Sequence, residues 1–366
     1  MNIEYEGYTR EQILDALFSS ARKVRYEYLL SDSHGFPINL VEMENVTISY
    51  DSRAEIKRTL SGTIIESTLV NMDSIDMRLT PYFCLTMPDG REAKWKLGVF
   101  IIVPQFEGSD GIKRLEIEGY DLSKIPSDDK LTRRFFVPQN ANYISTLKQL
   151  LGEDIYELEI EDSEKVKLYD QEWEPSTSKL TVANEMLAAI NYDSLHFNAD
   201  GMAVSKAHVL PMEREIDFSY IANQTSVIVD GVSMESDKFD MPNKWVRYTE
   251  NPDAPYLYSE YINDDEDSPY STVNRGRTIV DAEAVDDIAS QQDLDALVIK
   301  IANQSMQSNE VLTFTTLNMP CHDFQECLYV ECEKYGIGGT YIETQWEMSL
   351  EIGGTMSHVC ERVVQV

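Results

Sequence analysis

From residue 341 to 352 the chain reads YIETQWEMSLEI and alternates without a break. Ile342, Thr344, Trp346, Met348, Leu350 and Ile352 fall on one side, and Tyr341, Glu343, Gln345, Glu347, Ser349 and Glu351 on the other. A period of two predicts a β-strand with one dry and one wet face. At about 3.3 Å per residue the strand would be roughly 40 Å long, which suits the wall of a barrel or tube. Its wet face is acidic wherever it is charged.

Similar patterning fills most of the chain. Strands are predicted at 24–30, 40–50, 56–66, 75–87, 92–103 and 112–118, divided by turn signals such as Pro88-Asp89-Gly90 and Gly108-Ser109-Asp110-Gly111. A short helix is predicted at 9–19, where Thr9 and Gln12 form a capping box ahead of Ile13, Leu14, Leu17 and Phe18. The character changes near Ile125-Pro126-Ser127. Helical spacing appears at 141–151, ending at Gly152, and at 178–190, with short strands and an Asn198-Ala199-Asp200-Gly201 hairpin between polar connectors. Strands return at 245–249, 257–262, 311–317, 328–333 and 356–364, with a helix at 290–304. The predicted fold class is mainly β with an α+β insertion. Two β-barrel or sandwich domains, 1–125 and 211–366, flank a small α+β domain at 126–210.

Composition narrows the function. With 31 Lys and Arg against 64 Asp and Glu, the formal charge is −33. A protein that grips phosphates needs cations on its contact face, so nucleic-acid capture and docking on anionic lipid are disfavoured. Five cysteines without a CxxC fit reduced thiols made in a cytosol. There is no basic-then-apolar leader and no apolar run near the roughly 20 residues of a membrane span. Cys321, His322, Cys327, Cys332, His358 and Cys360 are of metal-ligand type, but their spacing fits no zinc pattern. Asp264-Asp265-Glu266-Asp267 lacks the EF-hand glycine and closing Glu. No GxSxG, HExxH or cysteine-protease signature occurs. No catalytic residue, metal or cofactor is expected.

Two groups of segments resemble the baseplate or tail-hub proteins of bacteriophages and related contractile particles. The first is Lys96-Leu97-Gly98-Val99-Phe100-Ile101-Ile102 with Leu115-Glu116-Ile117-Glu118-Gly119-Tyr120-Asp121. The second is the run through 311–317, Met319-Pro320, 328–332, Gly338-Gly339-Thr340-Tyr341-Ile342 and Leu350-Glu351-Ile352-Gly353-Gly354-Thr355-Met356. The resemblance implies two tube-forming barrels per chain and a homotrimeric ring with pseudo-sixfold symmetry. It implies a tail-tube or distal-tail protein on one side, a spike, fibre or tip protein on the other, and a tape-measure protein ending in the lumen. The chain would be made in the bacterial host cytoplasm and reside in the virion tail tip. The small domain would lie outside the ring, and the helices at 9–19 and 290–304 would be docking surfaces. Many relatives continue into a lytic module or spike; this sequence stops at Val366, so lytic activity is not carried over.

A tube that passes DNA must not hold it, and an acidic lining repels the duplex within about 8 Å at physiological salt. The lumen-lining candidates are Glu343, Glu347 and Glu351 on the long strand, Glu331 and Glu333 beside it, and Glu116 and Glu118 in the first β domain. DNA would pass transiently, without specific binding. Two alternatives stand beside this reading. One is a tail-associated wall hydrolase, which would clear cell wall in a zymogram. The other is a receptor-binding tail protein, which would bind host cells in isolation.

Overall fold

The computed structural model describes the chain except residues 1, 2, 4, 66–75, 110–111, 153–155, 224–226, 237–238, 251–254, 286, 308–309 and 364–366. The fold is mainly β. After α1 (Arg10–Phe18) come β1 (Val24–Ser31), β2 (Pro37–Val41), β3 (Met43–Asp51), β4 (Arg58–Ile65), β5 (Arg78–Thr86), β6 (Glu92–Lys96), β7 (Phe100–Ser109) and β8 (Ile112–Asp121). The α+β stretch holds α2 (Lys124–Asp128), β9 (Phe135–Val137), α3 (Tyr143–Leu151), β10 (Leu158–Ile160), β11 (Gln171–Trp173), α4 (Lys179–Ala189), β12 (His196–Phe197) and β13 (Ala203–Ser205). Then follow β14 (Phe218–Ile221), β15 (Ile228–Ser236), β16 (Lys244–Tyr248), β17 (Tyr258–Ile262), α5 (Thr272–Arg275), β18 (Val280–Ala284) and α6 (Gln291–Gln307). The chain closes with β19 (Glu310–Leu317), β20 (Cys327–Cys332), β21 (Ile337–Ser349) and β22 (Thr355–Arg362).

The two β-rich stretches share one sheet. Its main path runs β15-β19-β22-β21-β3-β4-β8-β7-β5-β1-β2, with β14, β20 and β6 branching from it. The join is β21 against β3. Along one edge β21 pairs first with β20, through Ile337 to Ile342, and then with β3, through Gln345 to Ser349. One apolar core runs beneath both halves: Ile48, Leu60, Phe83 and Ile117 belong to the same cluster as Phe314, Trp346, Met348 and Met356. Two smaller cores lie beside it. One packs α3 and α4 against the short strands of the α+β stretch. The other packs α6, through Val298, Ala302 and Met306, on Trp245 of a separate three-stranded sheet, β17-β16-β18. Among the described residues no helix is long and apolar enough to cross a membrane.

Local signals explain most boundaries. The α1 capping box is complete: Gln12 N–H donates to Thr9 Oγ1, and Thr9 N–H to Gln12 Oε1 at 3.0 Å. Thr9→Ala is expected to cost about 1 kcal/mol, read as faster amide exchange in the first turn of α1. The Ser178 hydroxyl caps α4 by accepting from Thr181 N–H, and Gly152 ends α3 with φ +80. Two predicted strands are broken. The 40–50 run divides at Glu42, where the chain leaves β1 for β4. The 92–103 run divides at Gly98, whose φ of +145 suits glycine, and where a Cβ would meet the Phe100 ring at 2.8 Å and Arg58 Cδ at 3.0 Å.

Candidate functional site: the acidic face and the buried junction

Cross-strand register decides which carboxylates share a face. Directly paired residues project to the same side of a sheet. Glu347 pairs with Ser49, Ser49 with Thr59, and Thr59 with Tyr120. Glu118 and Glu116 lie two and four residues before Tyr120 on β8, opposite Ser61 and Thr63. Glu116, Glu118 and Glu347 therefore stand on one face of the continuous sheet, on strands from both halves, and all three are exposed. Glu331 reaches the same face through Gly338 and Ile342 of β21, then Glu361 and Ser357 of β22. It is half-buried and accepts a hydrogen bond from Tyr329 Oη at 2.8 Å. Thr47, Ser49, Asp51, Thr59, Ser61, Thr63, Gln345 and Ser357 fill the positions between. Ser49 donates to Glu347 at 3.1 Å. Arg114 stands at one end of this face, 3.9 Å from Glu44.

Three candidates lie elsewhere. Glu333 has left β20 for an exposed 3-10 turn, and Glu351 lies in the exposed turn after β21. Glu343 is a correction: it is fully buried and cannot line a lumen. The cause is a bulge. Glu343 pairs with Cys360, but the next pair is Gln345 with Val359, so Thr344 has no partner on β22. One extra residue reverses the alternation. Before the bulge Tyr341 and Glu343 point into the core; after it Trp346 and Met348 do. The strand also ends at Ser349, which leaves Ile352 exposed rather than on a dry face.

The buried Glu343 is held by two imidazoles that sequence reasoning did not connect to it. His322 Nδ1 lies 2.6 Å from Oε2, and His358 Nδ1 lies 2.5 Å from Oε1. The far nitrogens are also engaged, His322 Nε2 with Tyr220 Oη at 2.7 Å and His358 Nε2 with Thr316 Oγ1 at 2.8 Å. The rings stack on aromatic side chains, His322 on Phe218 and His358 on Phe314. Burial pushes the Glu343 carboxyl up, but the two imidazoles, His322 foremost, overcome this and hold it at about 2. Burial pushes His358 below its usual value, partly offset by Glu343. The three groups are of metal-ligand type and their ligand atoms converge within 4.8 Å. The N···O separations, however, are hydrogen-bond distances. Two ligands around a tetrahedral ion, each about 2.0–2.2 Å from it, would stand farther apart. Of the six metal-type side chains near the carboxy-terminal end, only the two histidines join this cluster.

A second buried group closes the join between the halves. Tyr50 and Trp346, a cross-strand pair of β3 and β21, stack with centroids 5.4 Å apart and planes 8° from parallel. The Arg58 guanidinium carbon lies 5.5 Å from the Tyr50 ring and 5.7 Å from the Trp346 ring. Its Nη2 donates to Asp323 at 3.0 Å, tying β4 to the loop before β20. Arg58 is 1% exposed.

No family model and no curated protein sequence matches the chain. Solved structures do. A tail protein from Neisseria meningitidis MC58 superposes with a TM-score of 0.66 at 13% identity, covering 92% of this chain and 97% of that one. A 43 kDa tail protein of prophage MuSo2 from Shewanella oneidensis gives 0.63 at 9% identity, covering 92% and 98%. An E. coli component of the type VI secretion system, described as structurally similar to T4 bacteriophage tail proteins, gives 0.53 at 8% identity, covering 89% and 74%. At these identities the likeness is one of fold, and it extends over nearly the whole chain: the chain has the fold of these phage tail proteins.

Proposed function

We propose that the chain is a non-enzymatic structural hub of a phage tail tip or baseplate, located in the virion. Three copies would form a pseudo-sixfold ring that continues the tail tube and joins it to a spike, fibre or tip protein. The single observation that carries this reading is the β21–β3 pairing. It merges two β halves into one sheet and aligns Glu116, Glu118, Glu331 and Glu347 on a common polar face. In the proposed ring that face borders the lumen. Carboxylates there keep DNA from being retained as it passes, because they repel phosphates and, unlike Lys or Arg, give no counterion release. The sheet path ends at β2 and β15, and these two edges are where successive copies would meet in a closed head-to-tail ring. The division at 1–125, 126–210 and 211–366 follows from the same reading, with the α+β stretch outside the ring. The tail-tube, distal-tail and tape-measure proteins are the remaining proposed neighbours.

Sedimentation and negative-stain imaging test the ring, with and without a co-expressed neighbouring tail protein. A trimer with a central hole is expected; a monomer under both conditions would count against it. The lining has its own test. Replacing Glu116, Glu118 and Glu347 with Lys is expected to leave the melting temperature within about 2 °C, since exposed substitutions usually shift stability by no more than about 0.5 kcal/mol. The assembled ring should then retain duplex DNA with steep salt dependence. Retention by the unaltered ring, or none by the triple variant, would sink the lumen assignment.

A further inference from the structure

Lys167 and Asp287 stand 120 residues apart in the chain and meet beside the core that packs α3 and α4. What they support does not depend on the hub reading. Lys167 Nζ lies 2.7 Å from Asp287 Oδ2, and the two side chains are 0% and 5% exposed. Three rings surround the nitrogen, with centroids at 4.9 Å for Tyr143, 5.4 Å for Trp173 and 5.8 Å for Tyr169. Tyr143 Oη donates to the carboxylate, 3.1 Å from Oδ1 and 3.2 Å from Oδ2. Gln171 Oε1 accepts from Nζ. Main-chain bonds fix both attachment points. Lys167 N–H donates to the Ala141 carbonyl and the Lys167 carbonyl accepts from Asn140, each at 2.9 Å, while Ala289 N–H donates to the Ala189 carbonyl at 3.0 Å.

An amine and a carboxyl are thus held against each other out of water. The exposed Lys124–Asp128 pair, with side chains 34% and 63% accessible, has no such enclosure. Burial pushes Lys167 below its usual value, against the pull of Asp287. Transfer of one proton along the Nζ···Oδ2 hydrogen bond replaces two buried charges with an uncharged amine and acid. A desolvated lysine amine is a nucleophile, and partners fixed in contact react as if at very high concentration. Burial, with Asp287 beside it, also keeps the Tyr143 phenol protonated. That hydroxyl is therefore placed to donate to a carboxyl oxygen that gains charge.

We propose that Lys167 and Asp287 condense into an intramolecular isopeptide bond. Nζ attacks Asp287 Cγ, and the Nζ–Cγ bond forms as the C=O electron pair moves to Oδ1, under the Tyr143 hydroxyl. A second proton passes from Nζ to Oδ2, the Cγ–Oδ2 bond breaks, and water leaves. The third proton of the ammonium stays as the amide N–H, beside Gln171 Oε1. An ammonium and a carboxylate become an amide and one water, with no oxidant or cofactor. The link staples the loop between β10 and β11 to the segment that leads into α6.

Mass spectrometry of the purified full chain tests this. Under denaturing conditions the intact mass is expected one water below that calculated for the unlinked chain. A protease digest should yield one branched peptide joining Lys167 to Asp287. Asp-Gly pairs such as Asp89-Gly90 and Asp200-Gly201 lose water when they close to succinimides, so fragmentation has to place the loss at the branch. Asp287→Ala should have the mass of its own unlinked chain. Tyr143→Phe keeps the ring and should form the link about a hundredfold more slowly, the usual effect of losing one donor to a developing oxyanion. The unaltered chain decides the question even where a variant fails to fold. An intact mass equal to that of the unlinked chain, or a water loss that the fragments place elsewhere, would overturn the proposal and leave a buried ion pair.

Discussion

Replacing Glu343 with Gln is expected to destabilise the protein by roughly 3 kcal/mol at neutral pH, the worth of holding a carboxyl at about 2 instead of its usual 4.5. The substitution keeps the shape but puts an amide N–H where one imidazole already donates, so a donor faces a donor inside the core. The pH dependence separates charge from shape. A carboxyl with a depressed folded pKa contributes stability that is complete above its unfolded value. That stability is lost as pH falls through the folded one. The difference between the unaltered chain and the Glu343→Gln variant should therefore hold above about pH 4.5 and shrink toward pH 2. His358, also depressed, adds a loss of its own as pH falls below its unfolded value of 6.5, because the unfolded chain takes up the proton first. Urea unfolding across this range measures both effects. A difference between the two proteins that does not change with pH would mean that Glu343 acts by packing alone.

Arg58→Met carries the other large effect. It removes the cation that sits by the Tyr50 and Trp346 rings and leaves the Asp323 carboxylate without its partner. Breaking a buried pair from one side typically costs about 3–5 kcal/mol, whereas replacing both partners with apolar groups is often close to neutral. Arg58→Met alone should thus be far less stable than the double substitution Arg58→Met, Asp323→Leu. Because Arg58 and Asp323 come from opposite halves of the sheet, amide exchange of the single variant should rise first along the β3–β21 pairing. A double variant as unstable as the sum of the two singles would show that the ion pair does not couple the halves.

Particular residues show how far the sequence could be read. Thr9 with Gln12, Ser178 and Gly152 mark helix ends through bonds made within a few residues, and the structure has those helices there. Glu116 and Glu118 alternate with Leu115 and Ile117, and that local period alone puts them on the wet side of β8. Glu343 obeys the same period in the sequence and breaks it in the fold. Nothing within ten residues of Glu343 signals the bulge. Its cause is distant, since β21 changes partner from β20 to β3 at that point, and His322 and His358 provide donors for a carboxylate turned inward. The separate β17-β16-β18 sheet with α6 was legible as elements, but not as a unit apart from the large sheet.

The alternation of wet and dry positions, the capped helix ends and the excess of carboxylates are written along the chain, because each depends on near neighbours. Which of those carboxylates stand together was settled by the folded arrangement. It joined the two halves through β21 and β3, brought Glu347 into line with Glu118 across two intervening strands, and turned Glu343 inward between two histidines. Register between strands far apart in sequence is set by which edges meet, and a single unpaired residue at that meeting reverses every side chain beyond it.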